Sequence, residues 1–459
     1  MRIERLPGTD ASTSPTYSGR NEATRLPVSD DPDSFQFSEK DLTRDGRVPI
    51  IVYSGEELKM GKAKRLLKTS RNGSTYDRDL PLVNGFSARV SPRDMGRVLT
   101  SLPDGAGVRL NSWIAYPNPN DLSEIAKDAT GTIEGTPQTG AAAQVDTSRQ
   151  TIGLEKMWER GFTGKGVGIA IIDSGIHPHP DLKDRIKGWV DIAEGRKDPY
   201  DSFGHGTHVA GDAAGTGVKS AGKIKGAAPD ADLIGVRITT VAEAIKGIQW
   251  VIENKDKYNI KVVNMSLGDF ATKSHKDDPW TQVTQKAIEA GLVVVVAAGN
   301  EGPEPGTIST PATSPRVITV GALDDKRTVD RKDDQMASFS SRGPTSVDNL
   351  SKPDLIAPGV SVFAPLSPGS TLDVPELPHI GKDYIAISGT SMATPLVSGV
   401  AAALLQANPN LTHDDVKKLL TETADHYLAD DGNAQGAGLI NPLKALEVAL
   451  AMKEKSAVA

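Results

Sequence analysis

The sequence predicts an α/β fold: a doubly wound, mostly parallel sheet flanked by helices and preceded by a small α+β domain. Continuous apolar runs at residues 167–172 and 292–296 are typical of strands that are buried on both faces of a sheet. Helical patterns at residues 241–255 and 280–290 alternate with such runs, which indicates parallel strands joined by right-handed crossovers. Glycine is abundant (45 residues) and aromatic residues make up only 5%, a composition that lets helices pack closely on a sheet.

Five segments follow one another along the chain. Residues 1–45 are rich in Ser, Thr, Asp, Pro and Arg without an apolar period, so we expect them to be disordered. The other predicted segments are a small domain at 46–116, a flexible Pro-, Gly-, Thr- and Ala-rich linker at 117–147, a large domain at 148–452 and a tail at 453–459.

The small domain has a βαβαβ-like pattern. Its predicted strands and helices, in chain order, are residues 48–53 (strand), 56–68 (helix), 82–90 (strand), 91–102 (helix) and 108–113 (strand). The Asn84-Gly85 pair predicts a turn, and Ser91 is suited to cap the second helix.

The large domain continues the alternation of strands and helices. Its further predicted strands are residues 231–238, 261–267 and 317–323, and its closing helices are 412–423 and 442–452. Thr412 or a neighbour is expected to cap the first of these helices.

Composition and charge exclude several classes of function. The chain of 459 residues carries a net charge of −7 and has no long run of Lys or Arg, which argues against nucleic acid or an anionic membrane as its partner. It contains no cysteine, which removes disulfides, thiol catalysis and cysteine metal sites. The first residues lack an apolar core of signal-peptide length, and no stretch has the roughly 18 consecutive apolar residues that span a bilayer. We therefore expect a cytoplasmic protein, with release by a non-Sec route left open.

The sequence around Ser391 indicates a nucleophile near a helix N-terminus. Gly389-Thr390-Ser391 leads into the small and apolar residues 396–405, which predict a buried helix. Free backbone N–H groups and the positive end of the helix dipole gather at such a place and favour a developing oxyanion. A serine there can also be an ordinary helix N-cap, so this motif alone does not decide the matter.

Two further motifs supply an aspartate and a histidine. Asp173 is the first charged residue after the apolar run 167–172, and ligands of open α/β sheets bind beyond the carboxyl ends of strands. His205 stands between Gly204 and Gly206, which let other backbone approach it closely. Asp173 taken alone fits a turn residue equally well.

The chain order of these three residues is Asp173, His205 and Ser391. Together they suit acyl transfer: Ser391 attacks, His205 takes and returns the proton, and Asp173 orients the imidazole. The arrangement resembles that of the subtilisin-like serine peptidases, or subtilases. The matching stretches are Asp173-Ser174-Gly175, residues 205–211 (HGTHVAG) and residues 389–395 (GTSMATP).

The resemblance covers residues 148–450 and implies a serine endopeptidase with an acyl-enzyme on Ser391. It also implies that the Asn300 side chain donates to the developing oxyanion together with the Ser391 backbone N–H. An Asn after Gly is otherwise an ordinary turn residue. A long extension without a signal peptide makes the chain most similar to the intracellular bacterial members.

The resemblance implies a pocket for the side chain that precedes the scissile bond. The implied residues are Ser266, Leu267 and Gly268 on one wall, Ala297, Ala298 and Gly299 on the other, and Ala312 at the base. None of them carries a charge, so the pocket would accept a large apolar or aromatic side chain. The alternative for residues 266–268 is a plain passage from strand to loop.

The small domain at 46–116 resembles a subtilase propeptide, which acts as an intramolecular chaperone and inhibitor. This implies a self-inhibited precursor whose partners are its own N-terminal propeptide and protein or peptide substrates. An unrelated α+β domain is the alternative. Cleavage directly after Tyr116 is disfavoured, because Pro117 has no amide hydrogen and restricts the backbone.

The sequence indicates no required cofactor and assigns no metal site. Residues 215–225 stand where many subtilases have a calcium loop, but they hold three lysines and no carboxylate, which is a poor cage for Ca²⁺. Structural calcium elsewhere stays open. The run His177-Pro178-His179-Pro180-Asp181 is rich in ligand types and is better explained as a rigid turn.

Two other classes of function stay open. One is a metal hydrolase built from His177, His179, His205 and His208. A zinc site needs three or four ligands, and we find no carboxylate at helical spacing from His205 and His208. The other is a non-enzymatic binding protein on the same scaffold, which would have no physical need for the three catalytic residues together with Asn300.

The segment that follows the predicted strand 231–238 is short. In the resembled family a longer loop follows this strand, and part of it pairs with the substrate backbone. Here only Thr239 and Thr240 precede the helical pattern that begins at Val241. We therefore expect only a modest gain when a substrate is lengthened from two to four residues before the scissile bond.

Overall fold

The computed structural model of the chain shows a small N-terminal unit followed by a much larger one. Most of the predicted disordered segment 1–45 and almost all of the predicted linker 117–147 lie outside the described residues. The structure describes residues 35, 37–114, 147–429 and 432–458.

The N-terminal unit is an antiparallel sheet of four strands covered by two helices. Its elements are β1 (Val48–Tyr53), α1 (Gly61–Lys68), β2 (Thr75–Leu80), β3 (Gly85–Val90), α2 (Pro92–Leu99) and β4 (Gly107–Leu110). The strand order is β2-β3-β1-β4, so β1 and β3 occupy the centre. Apolar side chains such as Val52, Phe86 and Met95 form the core between the sheet and the helices.

The structure corrects the predicted βαβαβ pattern to βαββαβ. The prediction lacks β2 because this edge strand (TYDRDL) is mostly polar and only Leu80 is buried. The predicted strand 82–90 starts only at Gly85, since Asn84 has a φ of 47° and turns the chain. A Cβ on Gly85 would lie 2.0 Å from the Val52 carbonyl oxygen, so only glycine fits there.

The limits of the N-terminal unit also differ from the prediction. Disorder up to residue 45 is wrong for its last part, because Phe35 is only 4% exposed and packs into the core of this unit. The helix predicted at 56–68 begins at Gly61. The predicted cap of α2 is confirmed, since the Ser91 hydroxyl accepts a hydrogen bond from the Arg93 N–H.

The large unit is built on an eight-stranded sheet. Its strands are β5 (Gly168–Asp173), β6 (Ile186–Asp191), β7 (Asp232–Arg237), β8 (Ile260–Met265), β9 (Val293–Ala297), β10 (Ile318–Asp324), β11 (Gln335–Met336) and β12 (Leu355–Pro358). The order is β11-β10-β9-β8-β5-β7-β6, with β12 on β10, and all pairs except β10–β11 are parallel. The chain runs from β5 to one side of the sheet and returns to β8 on the other. The carboxyl ends of β5 and β8 therefore border the crevice in which such sheets bind ligands.

Helices cover both faces of this sheet. They are α3 (Ser148–Thr151), α4 (Leu154–Glu159), α5 (His205–Ala214), α6 (Val241–Asn254), α7 (Pro279–Glu289), α8 (Thr390–Ala407), α9 (His413–Glu422), α10 (Gly432–Gln435) and α11 (Pro442–Val458). On β5, Ile169 and Ile171 face the core that contains α5 and α8, whereas Ala170 and Ile172 face the core that contains α6 and α7. The predicted doubly wound arrangement is confirmed.

Helix α8 runs through one core of the large unit. Its length and apolar composition would suit a membrane span, but 94% of it is buried inside the fold, as expected of the core helix of a globular protein. Pro395 lies inside this helix and has no N–H. The carbonyl oxygen of Ser391, four residues earlier, therefore has no donor within the helix.

Smaller elements complete the large unit. A three-stranded sheet consists of β13 (Val362–Pro365), β14 (His379–Ile380) and β15 (Tyr384–Ile387). The expected cap of α9 is confirmed, because the Thr412 side chain accepts from the Asp415 N–H. Thr147, assigned to the linker by the sequence, donates to the buried Asp325 and belongs to the large unit. The predicted tail at 453–459 is wrong, since α11 continues to Val458 through good helix formers.

Candidate active site

The first two residues of the predicted triad meet at the carboxyl end of β5. Asp173 is the last residue of β5, His205 is the first residue of α5, and both side chains are fully buried. His205 Nδ1 lies 2.8 Å from Asp173 Oδ1. Because an ionised carboxylate only accepts hydrogen bonds, Nδ1 carries the proton, and the neutral ring has its lone pair on Nε2.

Glycine permits this close approach. A Cβ on Gly206 would lie 2.2 Å from the Gly175 carbonyl oxygen and 3.0 Å from the Cβ of Asp173. The Gly206 N–H donates to the Ser174 hydroxyl at 2.9 Å. The residue after His205 must therefore be glycine for α5 to start against the end of β5, as the sequence predicts.

A buried carboxylate that the sequence-based prediction does not include holds the loop before His205. Asp201 accepts from the Gly204 N–H (2.8 Å), the Thr207 N–H (2.9 Å) and the Thr207 hydroxyl (2.7 Å). It also accepts from the Ser174 hydroxyl at 3.0 Å, which ties the residue after Asp173 to the first turn of α5. An aspartate shortly before a helix can form such a turn, and this was the only signal that the sequence offered.

The electrostatics of the pair favour the protonated imidazole. Burial lowers the pKa of His205, but the charge of Asp173 and its hydrogen bond raise it by more, so the net pKa lies above its usual value. Asp201 and Asp212 act in the same direction. An imidazolium formed by proton transfer to His205 is thus stabilised by the protein.

Ser391, the third predicted residue, is fixed by Ser266 at the end of β8. The Ser391 hydroxyl donates to the Ser266 carbonyl oxygen at 2.9 Å, and the Ser266 hydroxyl donates to the Ser391 carbonyl oxygen at 2.8 Å. The second bond supplies the donor that Pro395 cannot provide. The N-cap of α8 is Gly389, so Ser391 is not the helix cap that the sequence left open.

Asn300 lies beside the start of α8 with a defined amide orientation. The Thr390 N–H donates to Asn300 Oδ1 at 2.9 Å, and the Thr390 hydroxyl lies 2.9 Å from the same oxygen. Because Oδ1 is engaged, Nδ2 is the end of the amide that can serve a ligand. A Cβ on Gly389 would lie 3.5 Å from Nδ2, so this donor borders the backbone that carries Ser391.

Ser309, which the sequence-based prediction does not include, lies between the two predicted pocket walls. A Cβ on Gly268 would lie 2.6 Å from Ser309 Oγ, and a Cβ on Gly299 would lie 2.7 Å from the same atom. The Ser309 hydroxyl donates to the Ala298 carbonyl oxygen at 3.0 Å. Ala312, the predicted base, is fully buried and offers no surface to a ligand. Ser309 Oγ thus lies close to both Gly268 and Gly299, and no sequence signal marks this residue.

The other predicted wall residues are mostly buried. Leu267 and Ala297 are only slightly accessible, and the side chain of Ala298 is fully enclosed. The Ser266 side chain is engaged by Ser391 and therefore faces the helix start. The accessible parts of both walls are thus the backbone and the glycines.

His208 is a structural histidine with both ring nitrogens engaged. Nδ1 lies 2.9 Å from Asp212 Oδ2, and Nε2 lies 3.0 Å from the Val362 carbonyl oxygen. The expectation of no carboxylate at helical spacing is wrong, since Asp212 follows His208 by one turn. Asp212 also accepts from Arg149 at 2.8 Å. His208 therefore joins α5 to β13 and has no nitrogen left for a metal ion.

The His177–Asp181 run forms the turn that the sequence indicates. The His179 N–H donates to the His177 carbonyl oxygen, and His179 Nδ1 accepts from the Asp181 N–H at 3.1 Å. The Asp181 carboxylate accepts from the Lys219 N–H (2.9 Å) and the Tyr384 hydroxyl (2.6 Å). Protein donors thus occupy the carboxylate next to the lysine-containing loop. Among the described residues, no group of three or more His, Asp or Glu is placed to hold a metal ion.

The last described residues of the N-terminal unit lie against the segment that follows β7. The Ile114 N–H donates to the Thr239 carbonyl oxygen at 2.8 Å, and Trp113 pairs with Thr240 in antiparallel fashion. Helix α6 begins at Val241, as predicted, so this segment is short. The last described residues of the N-terminal unit therefore pair with the short edge next to the crevice.

Charges and apolar side chains also join the two units. Arg109 of β4 lies between Asp269 (2.8 Å) and Asp278 (2.7 Å) of the large unit, and its side chain is nearly buried. Ile51 and Leu80 of the small sheet belong to the apolar core that contains α6 and α7. The N-terminal unit is thus packed onto the large unit and not merely tethered to it.

Comparison with known proteins agrees with this geometry. Residues 164–439 match the Subtilase family (Peptidase S8). Serine protease AprX from Bacillus subtilis strain 168 is 42% identical over 347 residues, which cover 72% of this chain and 78% of AprX. Subtilisin E from the same strain is 38% identical over 294 residues, which cover 61% of this chain and 66% of subtilisin E.

A solved structure shows the same fold. Fervidolysin from Fervidobacterium pennivorans, described as a keratinolytic enzyme related to subtilisin, superposes with a TM-score of 0.64 at 24% identity. The likeness covers 88% of this chain and 62% of the fervidolysin chain. It confirms the predicted subtilisin-like fold. The family match over more than half of the chain and the identity to AprX show that the chain belongs to the subtilase family and is a serine peptidase.

Proposed function

We propose that the chain is an endopeptidase that cleaves through an acyl-enzyme on Ser391 and is made as a precursor inhibited by its own N-terminal unit. The observation that carries the first part is the buried pair of His205 and Asp173 at the carboxyl end of β5, together with Ser391, which is held at the start of α8. Both features fall within the region that matches the subtilase family.

Each residue has one role in the proposed reaction. Ser391 Oγ attacks the carbonyl carbon of the scissile bond while His205 Nε2 takes the hydroxyl proton. Asp173 accepts a hydrogen bond from Nδ1–H throughout and stabilises the imidazolium. His205 then gives its proton to the leaving amine, and a water molecule repeats the sequence to release the new carboxylate.

Asn300 Nδ2 and the Ser391 N–H are the donors proposed for the oxyanion. Two contacts support this role: the Thr390 N–H holds Asn300 Oδ1, which leaves Nδ2 as the donor, and the start of α8 holds the Ser391 backbone. Replacing Asn300 with leucine should lower kcat by about 100- to 1,000-fold with little change in KM. That magnitude is the one known for the same donor of subtilisin.

The pocket proposed for the residue before the scissile bond is uncharged and favours large apolar or aromatic side chains. Ser309 reduces the space between Gly268 and Gly299. Ser309→Gly should therefore raise the preference for an aromatic over a smaller apolar side chain by about tenfold. A matched pair of peptide substrates with Phe or Val at this position measures the ratio, and an unchanged ratio would remove Ser309 from the pocket.

The proposed inhibition is supported by the contact between the two units. The chain at Trp113 and Ile114 pairs with the short edge at Thr239 and Thr240, beside the crevice in which a substrate would bind. Arg109 adds a nearly buried double ion pair that anchors the N-terminal unit. The catalytic unit can work on other chains only after this edge is cleared.

The test of the catalytic proposal is Ser391→Ala. This variant should fold and show no measurable cleavage of a denatured protein such as casein, because the triad acts as a unit. A serine-directed phosphonylating reagent should add its mass to the peptide that contains Ser391 in the unmodified chain only. Undiminished cleavage by purified Ser391→Ala would refute the assignment.

The precursor proposal has a separate test in the full chain. The active chain should lose its N-terminal region during purification, whereas Ser391→Ala should keep it. Arg109→Met, which removes the cation between Asp269 and Asp278, should speed this loss. Retention of the whole N-terminal region by a fully active enzyme would contradict self-inhibition.

The short edge after β7 gives a prediction about substrate length. Each backbone hydrogen bond that the edge cannot make removes about 0.5–1.5 kcal/mol of net binding. Lengthening a substrate from two to four residues before the scissile bond should therefore raise kcat/KM only modestly. A gain of about a hundredfold or more would show that a complete edge exists in the active enzyme.

A further inference from the structure

A chain of buried polar side chains connects the interior of the large unit to Ser391. Asn264 lies on β8 with its side chain on the same face as Val262, which belongs to the core that contains α8. Ser398 follows Ser391 by seven residues, or two helical turns, and so lies on the same side of α8. The side chains of Asn264 and Ser398 are fully buried.

The hydrogen bonds in this chain have one consistent direction. The Ser398 hydroxyl donates to Asn264 Oδ1 (2.8 Å), and Asn264 Nδ2 donates to the Ser266 hydroxyl oxygen (3.0 Å). The Ser266 hydroxyl in turn donates to the Ser391 carbonyl oxygen (2.8 Å). The single hydroxyl proton of Ser266 is donated to Ser391, so Ser266 can only accept from Asn264. The nitrogen end of the Asn264 amide must therefore face Ser266. Ser398 fixes that orientation by binding the oxygen end.

An amide at position 264 is not needed for packing. A polar group in an apolar core costs free energy unless it is hydrogen-bonded, and an apolar side chain of similar volume would fill the same space without that cost. The polar chain ends on the one carbonyl oxygen that Pro395 leaves without a helical donor. The chain of hydrogen bonds therefore acts on the backbone of Ser391.

We propose that Asn264 and Ser398 are positioning residues that hold the Ser391 backbone for attack, acting through Ser266. The proposal rests on the proposed role of Ser391 as the nucleophile. The tether acts on the residue that carries both the attacking hydroxyl and the N–H offered to the oxyanion. A displacement of this residue therefore affects both, and a misplacement of about 1 Å at a reacting group costs on the order of a hundredfold in rate.

The experiment uses the full chain and variants of Ser398. Ser398→Ala removes the hydroxyl and suits a helix interior; it should lower kcat by about tenfold while KM changes less than about twofold. Ser398→Thr and Ser398→Val have the same shape, and only Thr keeps the hydroxyl, so only Thr should restore kcat. The rate of phosphonylation by a small serine-directed reagent should fall in parallel with kcat, because that reagent does not depend on the substrate pocket.

A matched control separates positioning from loss of stability. Thr284 is a fully buried threonine on the opposite face of the sheet, and its hydroxyl donates to the Thr281 carbonyl oxygen. Thr284→Val should leave kcat and the phosphonylation rate unchanged. In an Asn264→Leu background, which already breaks the tether, Ser398→Ala should have no further effect on kcat.

The outcomes are distinct. Wild-type kcat and phosphonylation rate in Ser398→Ala would overturn the proposal, as would equal losses in the Thr and Val variants or in Thr284→Val. Effects of Asn264→Leu and Ser398→Ala that add independently would also overturn it. Activity that survives in Ser391→Ala would instead overturn the proposed function itself.

Discussion

His205 and His208 are two buried histidines three residues apart on α5, and each has an aspartate within hydrogen-bond distance of Nδ1. The distances are nearly equal, 2.8 Å to Asp173 and 2.9 Å to Asp212. The surroundings differ. Arg149 donates to Asp212, and His208 Nε2 lies at hydrogen-bond distance from the carbonyl oxygen of Val362. The carboxylate and both ring nitrogens of that pair are therefore engaged by the protein.

The pair of His205 and Asp173 has a different charge balance. Across the residues that the structure describes, no Lys or Arg forms an ion pair with Asp173, and the carboxylate keeps its full effect on the imidazole. The pKa of His205 is consequently raised in spite of burial. A buried histidine and aspartate therefore form a structural link when a cation balances the carboxylate, and a base when the charge acts on the ring alone.

The largest expected effect comes from removing each imidazole in turn. His205→Gln should lower kcat by about a millionfold, the size known for the equivalent residue of subtilisin. His208→Gln should keep kcat within about tenfold per folded molecule and lower the free energy of unfolding by about 1–3 kcal/mol, because buried hydrogen bonds are lost. Active-site titration gives kcat, and thermal unfolding in the Ser391→Ala background gives stability without self-digestion. Equal losses of kcat in both variants would break the comparison.

The next effect comes from the two aspartates. Asp173→Asn should lower kcat by about ten-thousandfold, since the amide cannot hold the tautomer or stabilise the imidazolium. Asp212→Asn should leave the chemistry intact and cost about 3 kcal/mol of stability, because it removes the carboxylate that faces buried Arg149. The same two assays distinguish them. A stable but inactive Asp212→Asn would show that the second pair also serves catalysis.

The comparison shows why the sequence predicts some residues and not others. Asp173, His205 and Ser391 lie in local motifs, each next to an apolar run or a small-residue helix that fixes its place in the fold. Ser309 and Ser398 act through contacts with residues distant in sequence. Such polar partners are chosen by tertiary proximity, which no local pattern encodes.

The same reasoning holds for the elements of the fold. The parallel strands β5, β7, β8, β9 and β10 are predicted within a few residues because they are continuous apolar runs, whereas the partly exposed β6 and the four-residue β12 have no counterpart in the prediction. Strand β2 was missed, since it is a polar edge strand whose partner lies in another part of the chain. Ala312 is assigned to the pocket base by resemblance alone, and Ser309, which no local pattern marks, lies between Gly268 and Gly299.

A smaller effect concerns pH. His205 acts as a base only when it is neutral, so activity is lost as the pH falls through its pKa. Because that pKa is raised, the acid limb of kcat/KM should lie above about pH 6.5, the usual histidine value. Asp173→Asn should move the limb to lower pH, since burial then acts alone. His208→Gln should not move it.

The raised pKa of His205 affects the free energy of unfolding in the opposite direction: activity is lost at low pH, whereas this contribution to stability is lost at high pH. A pKa that is higher in the folded than in the unfolded state contributes stability below the unfolded value and loses it as the pH rises through the folded value. The position of the acid limb is measured from the pH profile of kcat/KM for the unmodified chain, Asp173→Asn and His208→Gln. An acid limb below pH 6.5 in the unmodified chain, or one that follows His208→Gln, would contradict the assignment of the base.

The smallest expected effect is that of a chelator. Both nitrogens of His208 are engaged, which removes it from the metal-hydrolase alternative. The Asp181 carboxylate, which lies beside the loop at residues 215–225, accepts from the Lys219 N–H and the Tyr384 hydroxyl. Protein donors therefore already occupy this carboxylate. EDTA should therefore change kcat/KM by less than about twofold and Tm by less than about 2 °C, because no bound ion is lost from either place.

Re-addition of metal makes this prediction specific. The unfolding temperature is measured in Ser391→Ala, where self-digestion cannot mimic a loss of stability. A fall in Tm that Ca²⁺ reverses would place a structural ion away from Asp181, because the ligands of that carboxylate are already protein groups. A loss of activity that Zn²⁺ restores would instead revive the metal hydrolase. The His208→Gln variant then shows whether His208 is a metal ligand. A structural histidine can be replaced without changing the response of activity or Tm to the chelator.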